Sequence, residues 1–364
     1  MTATAPVADS PSAVASGAPL LRTAGLTRHF AIGGLLSRRM LHAVDDVNLT
    51  IGDREIVALV GESGSGKSTI ARLIARVYKP TRGDIFFMGR NVNALRGRRE
   101  LLEYRSDVPM VFQDPYSSIN PAYRATHGIQ RTLKLHQPGL SREQMRLEVE
   151  RVLAAVGLTP PGDVMRKFPH ELSGGQRQRL GFAQALAMRP RLILADEPVS
   201  MLDVSIRAGL LNVMADMRAR EGVSILYITH DIASARYVAD RLVVMYAGHV
   251  VEQGPAEAVL RHPKHPYTQL LLAAVPDPHA RAAPATPADV GEPPRVVDPG
   301  EGCRFRWRCR YAVDICATTT PQLRPVRSAQ EAACHVSEAE PGASPSAPAR
   351  AAASGAPLDS SASG

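Results

Sequence analysis

Residues Gly61-Glu62-Ser63-Gly64-Ser65-Gly66-Lys67-Ser68-Thr69 follow the pattern G-x-x-x-x-G-K-[ST]. Glycines at these spacings let successive backbone N–H groups and a helix N-terminus converge on a phosphate chain. Lys67 would then reach the β- and γ-phosphates of a nucleoside triphosphate, and the Ser68 hydroxyl would ligate Mg²⁺. Further on, Leu192-Ile-Leu-Ala-Asp196-Glu197 runs four apolar residues into two carboxylates. Such strings are common at strand ends; behind a phosphate loop, Asp196 suits the Mg²⁺ shell and Glu197 the polarisation of an attacking water. A third motif, Leu172-Ser173-Gly174-Gly175-Gln176, opens a helical run (RQRLGFAQALAM) stopped by Pro190. It makes a second anion-binding helix N-terminus with bare backbone amides. One triphosphate does not need two cradles in one chain, so the second cradle implies another copy facing the first.

The elements that must position these residues are readable as alternating patterns. Glu55–Val60 is a buried-strand candidate and Ser68–Tyr78 a helix ended by Pro80. Val108–Phe112, Leu192–Ala195, Ser224–Thr229 and Leu242–Tyr246 read as further strands. Strands alternating with helices predict an α/β fold with a mainly parallel sheet, which binds ligands at the strands' C-terminal ends. Between two of the strands lies a different element. Ser141 and Gln144 form an S-x-x-Q capping box, Met145, Val149, Val152 and Val156 recur at helical spacing, and Gly157 supplies a stop.

The chain of 364 residues is 45% hydrophobic and 21% charged, with no apolar run long enough to span a bilayer. Residues 1–19 lack the basic cluster and apolar stretch of a secretory signal, which makes the cytosol the expected compartment. Residues 1–19 and 337–364 are Ala/Ser/Pro/Gly-rich and read as unstructured tails, and 276–294 reads as a linker. The expected organisation is a nucleotide-binding domain over 20–275, the linker, and a small Cys-bearing segment over 295–336. A net charge of +8 suits an anionic partner without choosing one. The cluster Arg96, Arg98 and Arg99 has no interleaved aromatic residues and reads as solvated surface.

With the phosphate loop, the paired acids and LSGGQ in this order, the chain resembles the ATP-binding subunits of ABC transporters. The resemblance implies a P-loop ATPase core with an antiparallel β subdomain, an inserted helical subdomain at about 114–190, and ATP sandwiched between the phosphate loop of one subunit and LSGGQ of its partner. It assigns Phe30, in LTRHF, to stacking on adenine, although a core phenylalanine reads the same way. Gln113, in MVFQDP, matches the glutamine that touches Mg²⁺ and the attacking water and couples the site to the membrane subunits. Pro198–Asp203 matches the loop that spans the dimer interface, with Asp203 as its acid, and His230, in YITHD, the histidine that contacts the γ-phosphate. Two departures are Met201, where a small Ala is usual, and Gln184, where Arg is usual.

The stretches AVDDVNLTIGDREIVALVGESGSGKST, MVFQDPYSSINP, PHELSGGQRQRLG, DEPVSMLDVSI and HPKHPYTQLLLAAVP are similar to the oligopeptide/dipeptide importer ATPases, a group that includes nickel importers. This implies an ATPase energising a peptide importer, with nickel or another solute as the alternative cargo. The implied partners are a second related ATPase in a heterodimer, which the insert at Gly33–Met40 favours, two membrane permeases, and indirectly an extracytoplasmic solute-binding protein. The implied location is peripheral, on the cytoplasmic face of the membrane, with Gln113–Pro121 near the surface that grips a permease helix. No nucleic-acid partner is expected; the rival reading, an ABC ATPase acting on nucleic acid, draws on the basic charge and would make the Cys-bearing segment a nucleic-acid module.

Cys303, Cys309, Cys316 and Cys334 are separated by five, six and seventeen residues. The spacings lack the C-x₂-C pairs of zinc ribbons, and four thiolates also suit an iron–sulfur cluster. The resemblance favours [4Fe–4S], with Zn²⁺ or plain thiols as alternatives and His335 as a substitute ligand. Arg304, Arg306, Arg308 and Arg310 would surround a cluster with positive charge or form a solvated basic face.

Overall fold

The computed structural model describes residues 18–33, 39–114, 119–275, 296–327 and 329–337. The N-terminal tail to residue 17, the linker and most of the C-terminal tail lie outside them, as do residues 34–38 of the Gly33–Met40 insert and 115–118 of the Gln113–Pro121 segment.

Two sheets form the scaffold. The smaller is antiparallel and joins β1 (Leu21–Ile32), β2 (Arg39–Val47), β3 (Thr50–Ile51), β5 (Arg82–Phe87) and β6 (Arg90–Asn91). The larger has eight strands. In spatial order they are β12 (Arg324–Arg327), β13 (Gln330–Ala332), β11 (His249–Pro255), β10 (Arg241–Tyr246), β4 (Ile56–Val60), β9 (Ser224–Thr229), β8 (Leu192–Asp196) and β7 (Met110–Val111). The run from β10 to β7 is parallel, and β11, β13 and β12 extend it antiparallel.

The central strand β4 is buried on both faces, as continuous apolar runs in parallel sheets usually are. Ile56, Ala58 and Val60 enter the core shared with the helices of residues 127–186, whereas Val57 and Leu59 enter the core beneath the antiparallel sheet. This period of two places the phosphate loop, which follows Val60, over the seam between both cores.

The helices His127–His136, Arg142–Ala155, Pro161–Arg166 and Gly174–Leu186 are inserted between β7 and β8. Ser141 caps the second of them as its sequence pattern predicts: its Oγ accepts the Gln144 amide at 3.2 Å, and Gln144 Oε1 accepts the Ser141 amide at 2.8 Å.

Two elements are shorter than the sequence suggests. The helix after the phosphate loop spans Lys67–Ile74 and ends well before Pro80. Arg76 turns left-handed (φ 56°), and the Val77 amide reaches back to the Arg72 carbonyl at 2.9 Å, a Schellman-type stop without glycine. The strand expected over Val108–Phe112 pairs only at Met110–Val111, against β8. Among the described residues no helix is long and apolar enough to cross a membrane.

Candidate functional site

Strands β4, β8 and β9 are parallel neighbours, so their C-terminal ends deliver Gly61, Asp196–Glu197 and His230 to one edge. The loop after Val60 turns at Gly61 (φ 155°), where a Cβ would lie 2.2 Å from the Met245 carbonyl oxygen. Gly66 (φ 105°) caps the following helix, and a Cβ there would meet the Ala43 carbonyl oxygen at 2.2 Å. Only glycine fits at either position. Gly64 (φ 78°) faces open space, Ser65 is buried, and Ser63 is exposed on the turn.

Lys67 is 4% exposed, and its ammonium donates to the carbonyls of Gly61 (2.7 Å) and Glu62 (2.8 Å). Burial lowers its pKa, against the opposing fields of Glu197, Asp196 and Glu62. The Ser68 hydroxyl donates to Asp196 Oδ1 at 2.8 Å. Burial raises the Asp196 pKa, and the Ser68 hydrogen bond partly counters it. A hydroxyl and a carboxylate at the loop's end are the hard oxygen donors that Mg²⁺ takes. Thr69, next in the helix, is half-buried.

Glu197 is the hub of a second set. Its Oε2 accepts from Gln113 Nε2 at 3.4 Å and lies 3.3 Å from His230 Nδ1. The Glu197 backbone is left-handed (φ 47°), which costs a non-glycine residue on the order of 1 kcal/mol, and its amide is tied to the Ile228 carbonyl at 2.9 Å. The His230 side chain is 55% exposed, so it faces outward from the strand end.

Leu172-Ser173-Gly174-Gly175-Gln176 forms a capped N-terminus. Leu172 is buried, Ser173 Oγ accepts the Gln176 amide at 3.2 Å, and Gln176 Oε1 accepts the Ser173 amide at 3.0 Å. Asp203 is the N-cap of the helix Val204–Glu221 but makes no side-chain cap bond, and Met201 beside it is 61% exposed. Phe30 sits on β1, edge-on to Tyr78 at 5.5 Å, with the Arg28 guanidinium 4.5 Å above its ring. Gln184 lies against Gly128.

The Cys-bearing segment packs on the same edge of the core. Residues 296–298 run beside β2, and β13 pairs with β11. Phe305, 3% exposed, inserts among Tyr246, Tyr267 and His265.

The arginines correct the sequence expectation. Arg304 pairs with Asp45 and donates to the Ala247 carbonyl at 2.5 Å, and Arg308 makes a two-pronged pair with Glu62 at 2.7 and 2.9 Å. Both are spent on core carboxylates because their segment is clamped against the core by Phe305. Arg306 lies over the exposed ring of Trp307 and Arg310 over the half-buried ring of Tyr311. His335 is held at 2.9 Å from the Thr319 carbonyl oxygen.

All four thiols are free; Cys316 and Cys334 are buried, Cys303 and Cys309 half-buried. Burial raises the thiol pKa of Cys303 and Cys334 and pushes Cys309 up to about 11, and each of these three feels the charge of at least one of the other cysteines. They are neighbours, yet no three come within 4.8 Å of one another. Tetrahedral zinc at about 2.3 Å from each sulfur would hold the sulfurs about 3.8 Å apart. A cluster spaces them more widely, because each thiolate binds its own iron. Among the described residues, the one trio of candidate ligands within 4.8 Å is His29, His42 and Asp45, whose carboxylate Arg304 already neutralises.

Sequence reasoning missed Tyr267 and the role of Arg308. The Glu62 amide donates to Tyr267 Oη at 2.8 Å, a contact 205 positions away that no local spacing signals.

Comparison with known proteins gives a consistent likeness. Residues 44–200 match the ABC transporter family, and 251–316 match the oligopeptide/dipeptide transporter C-terminal region. A probable peptide ABC transporter ATP-binding protein of Sinorhizobium fredii is 43% identical over 322 residues, covering 87% of this chain and 90% of that one. The oligopeptide transport ATP-binding protein OppF of Salmonella typhimurium is 42% identical over 287 residues, covering 78% and 85%. Among solved structures, the dimeric post-hydrolysis state of the ATP-binding cassette MJ0796 bound to ADP and Pi has a TM-score of 0.57 at 28% identity, covering 65% of this chain and 98% of that one.

Proposed function

The chain belongs to the ABC transporter family as an ATP-hydrolysing, ATP-binding subunit of a peptide importer, and from that premise we propose how its residues divide the work. Lys67 and the loop amides of 61–69 bind the β- and γ-phosphates. Ser68 and Asp196 hold Mg²⁺, which screens the phosphate charge when bound. Glu197 takes a proton from the attacking water, Gln113 orients that water, and His230 stabilises charge developing on the γ-phosphate. Phe30 supplies the adenine platform. The observation that carries this division is the pair of sets, the hydrogen bond Ser68–Asp196 and the trio Gln113–Glu197–His230 joined by contacts within 3.4 Å, at the ends of four adjacent parallel strands.

As an importer subunit, the chain works with membrane permease subunits. The finer assembly we infer has LSGGQ of a second, related ATPase closing over this chain's ATP, with Leu172–Gln176 serving the partner's ATP and Asp203 at the interface. A solute-binding protein delivers cargo, and the chain sits peripherally on the cytoplasmic face. Phe112, 50% exposed next to Gln113, supports a permease-facing surface there.

We also infer that Cys303, Cys309, Cys316 and Cys334 hold a [4Fe–4S] cluster. The closeness of the four thiols, three of which feel the charge of another, supports it, and iron and sulfide analysis of the purified chain tests it.

Uptake of labelled di- to hexapeptides, with nickel in parallel, in cells lacking this chain tests the main reading. Peptide uptake is expected to return with wild type and not with Glu197→Gln. Restoration of nickel uptake alone would replace the cargo and leave the ATPase.

A further inference from the structure

Three contacts meet on Glu62, the second residue of the phosphate loop. Its amide donates to Tyr267 Oη at 2.8 Å, its carboxylate takes both prongs of Arg308 at 2.7 and 2.9 Å, and its carbonyl accepts from Lys67 Nζ at 2.8 Å. The two outer partners are themselves immobilised. Tyr267 is fully buried, its amide is accepted by His265 Nδ1 at 3.0 Å, and its ring packs against Tyr246 and Phe305. The Arg308 side chain is 11% exposed, and its guanidinium lies 5.6 Å above the Tyr246 ring.

From this geometry we propose that Arg308 and Tyr267 are positioning residues for ATP binding, acting through Glu62 on the phosphate loop. The inference rests on the ATPase reading above and deepens it: the Cys-bearing segment becomes a structural part of the ATP site.

Two physical effects point the same way. A glycine-rich loop loses conformational entropy when it closes on a ligand, and a loop already anchored loses less. Partly buried bidentate Arg–carboxylate pairs are among the stronger side-chain anchors. The second effect is electrostatic. The Lys67 ammonium is held 2.8 Å from the Glu62 carbonyl oxygen, so an unpaired carboxylate on the same residue would compete with the phosphates for that ammonium. Arg308 neutralises the competitor.

The test is steady-state ATP hydrolysis by the assembled transporter containing the full chain. Arg308→Ala is expected to raise KM for ATP about tenfold while kcat stays within about twofold, the signature of lost binding without lost chemistry. Tyr267→Phe removes one oxygen from an otherwise intact core and is expected to raise KM in the same direction, which covers the case of an Arg308→Ala chain that folds poorly. The double variant Glu62→Gln/Arg308→Ala is expected to have a KM no higher than Arg308→Ala alone, since both changes break one link. KM within twofold of wild type for both Arg308→Ala and Tyr267→Phe overturns the proposal, as do multiplying effects in the double variant. A wild-type complex that hydrolyses no ATP would instead overturn the reading on which the proposal rests.

Discussion

Ser68 and Asp196 stand 128 positions apart in the chain and 2.8 Å apart in space, hydroxyl to carboxylate oxygen. That contact joins the phosphate loop after β4 to the end of β8, which lies one strand away with β9 between them. The oxygen pair needed for Mg²⁺ is thus assembled by sheet order rather than by sequence proximity.

Ser68→Ala should weaken Mg²⁺ dependence while sparing metal-independent nucleotide binding, because Lys67 and the loop amides are untouched. The Mg²⁺ concentration for half-maximal hydrolysis is expected to rise at least about tenfold. Titrating Mg²⁺ in the ATPase assay, with fluorescent-ATP binding measured in chelator, checks both halves. Because burial raises the Asp196 pKa, its proton competes with the metal on the acid side, and the Mg²⁺ requirement should climb as pH falls.

Glu197→Gln preserves shape but cannot take a proton. Turnover is expected to fall by about 10² to 10⁴, with ATP affinity retained. Removing His230, whose Nδ1 sits 3.3 Å from Glu197 Oε2, should cost about 10² to 10³. The two losses should not multiply in the double variant, since the groups act as a unit. Single-turnover hydrolysis reads all three; undiminished turnover in Glu197→Gln removes that residue from the role of base.

His265 offers a stability test. Full burial lowers its pKa from 6.5 to about 3, so between those values the unfolded chain binds a proton that the folded chain does not. Stability from this group is present above about pH 6.5 and lost as pH falls towards 3. Acidifying from pH 7 to 5 should therefore cost about 2 kcal/mol through this group. His265→Asn keeps a side-chain acceptor for the Tyr267 amide and lacks the titration. Its urea-unfolding free energy should decline less steeply than wild type between pH 7 and 5, and parallel slopes would refute the assignment. The neighbouring Glu252 carboxyl, raised by burial, is common to both proteins and drops out of the difference.

The parts of the fold legible in the sequence are those set by contiguous residues. The run Ile56–Val60 states its own burial, G-x-x-x-x-G-K-S its own turn, and Ser141 with Gln144 its own helix start. The helix end at Arg76 was not legible, because its stop depends on a left-handed turn that no glycine announces. Strands β12 and β13, RPVR and QEA, carry almost no apolar alternation. Gln330 is nevertheless fully buried, since its amide donates to Glu252 Oε1 at 2.7 Å and to the His262 carbonyl at 3.0 Å. The arginines beside the cysteines read as a basic face because each partner, Asp45 or Glu62, lies more than 240 positions upstream.

The Arg308–Glu62 pair also fixes when the molecule is finished. Glu62 leaves the ribosome 246 residues before Arg308. At about 5 to 20 residues per second, the phosphate loop waits roughly 12 to 50 s for its anchor. Strand β4 and its early neighbours can collapse during synthesis, but the loop that holds the nucleotide acquires its full set of contacts only when the last segment of the fold emerges. A nascent chain stalled before residue 308 would thus carry the phosphate-loop sequence in a half-anchored form, and emergence of the segment bearing Arg308 doubles as a late step of building the nucleotide site.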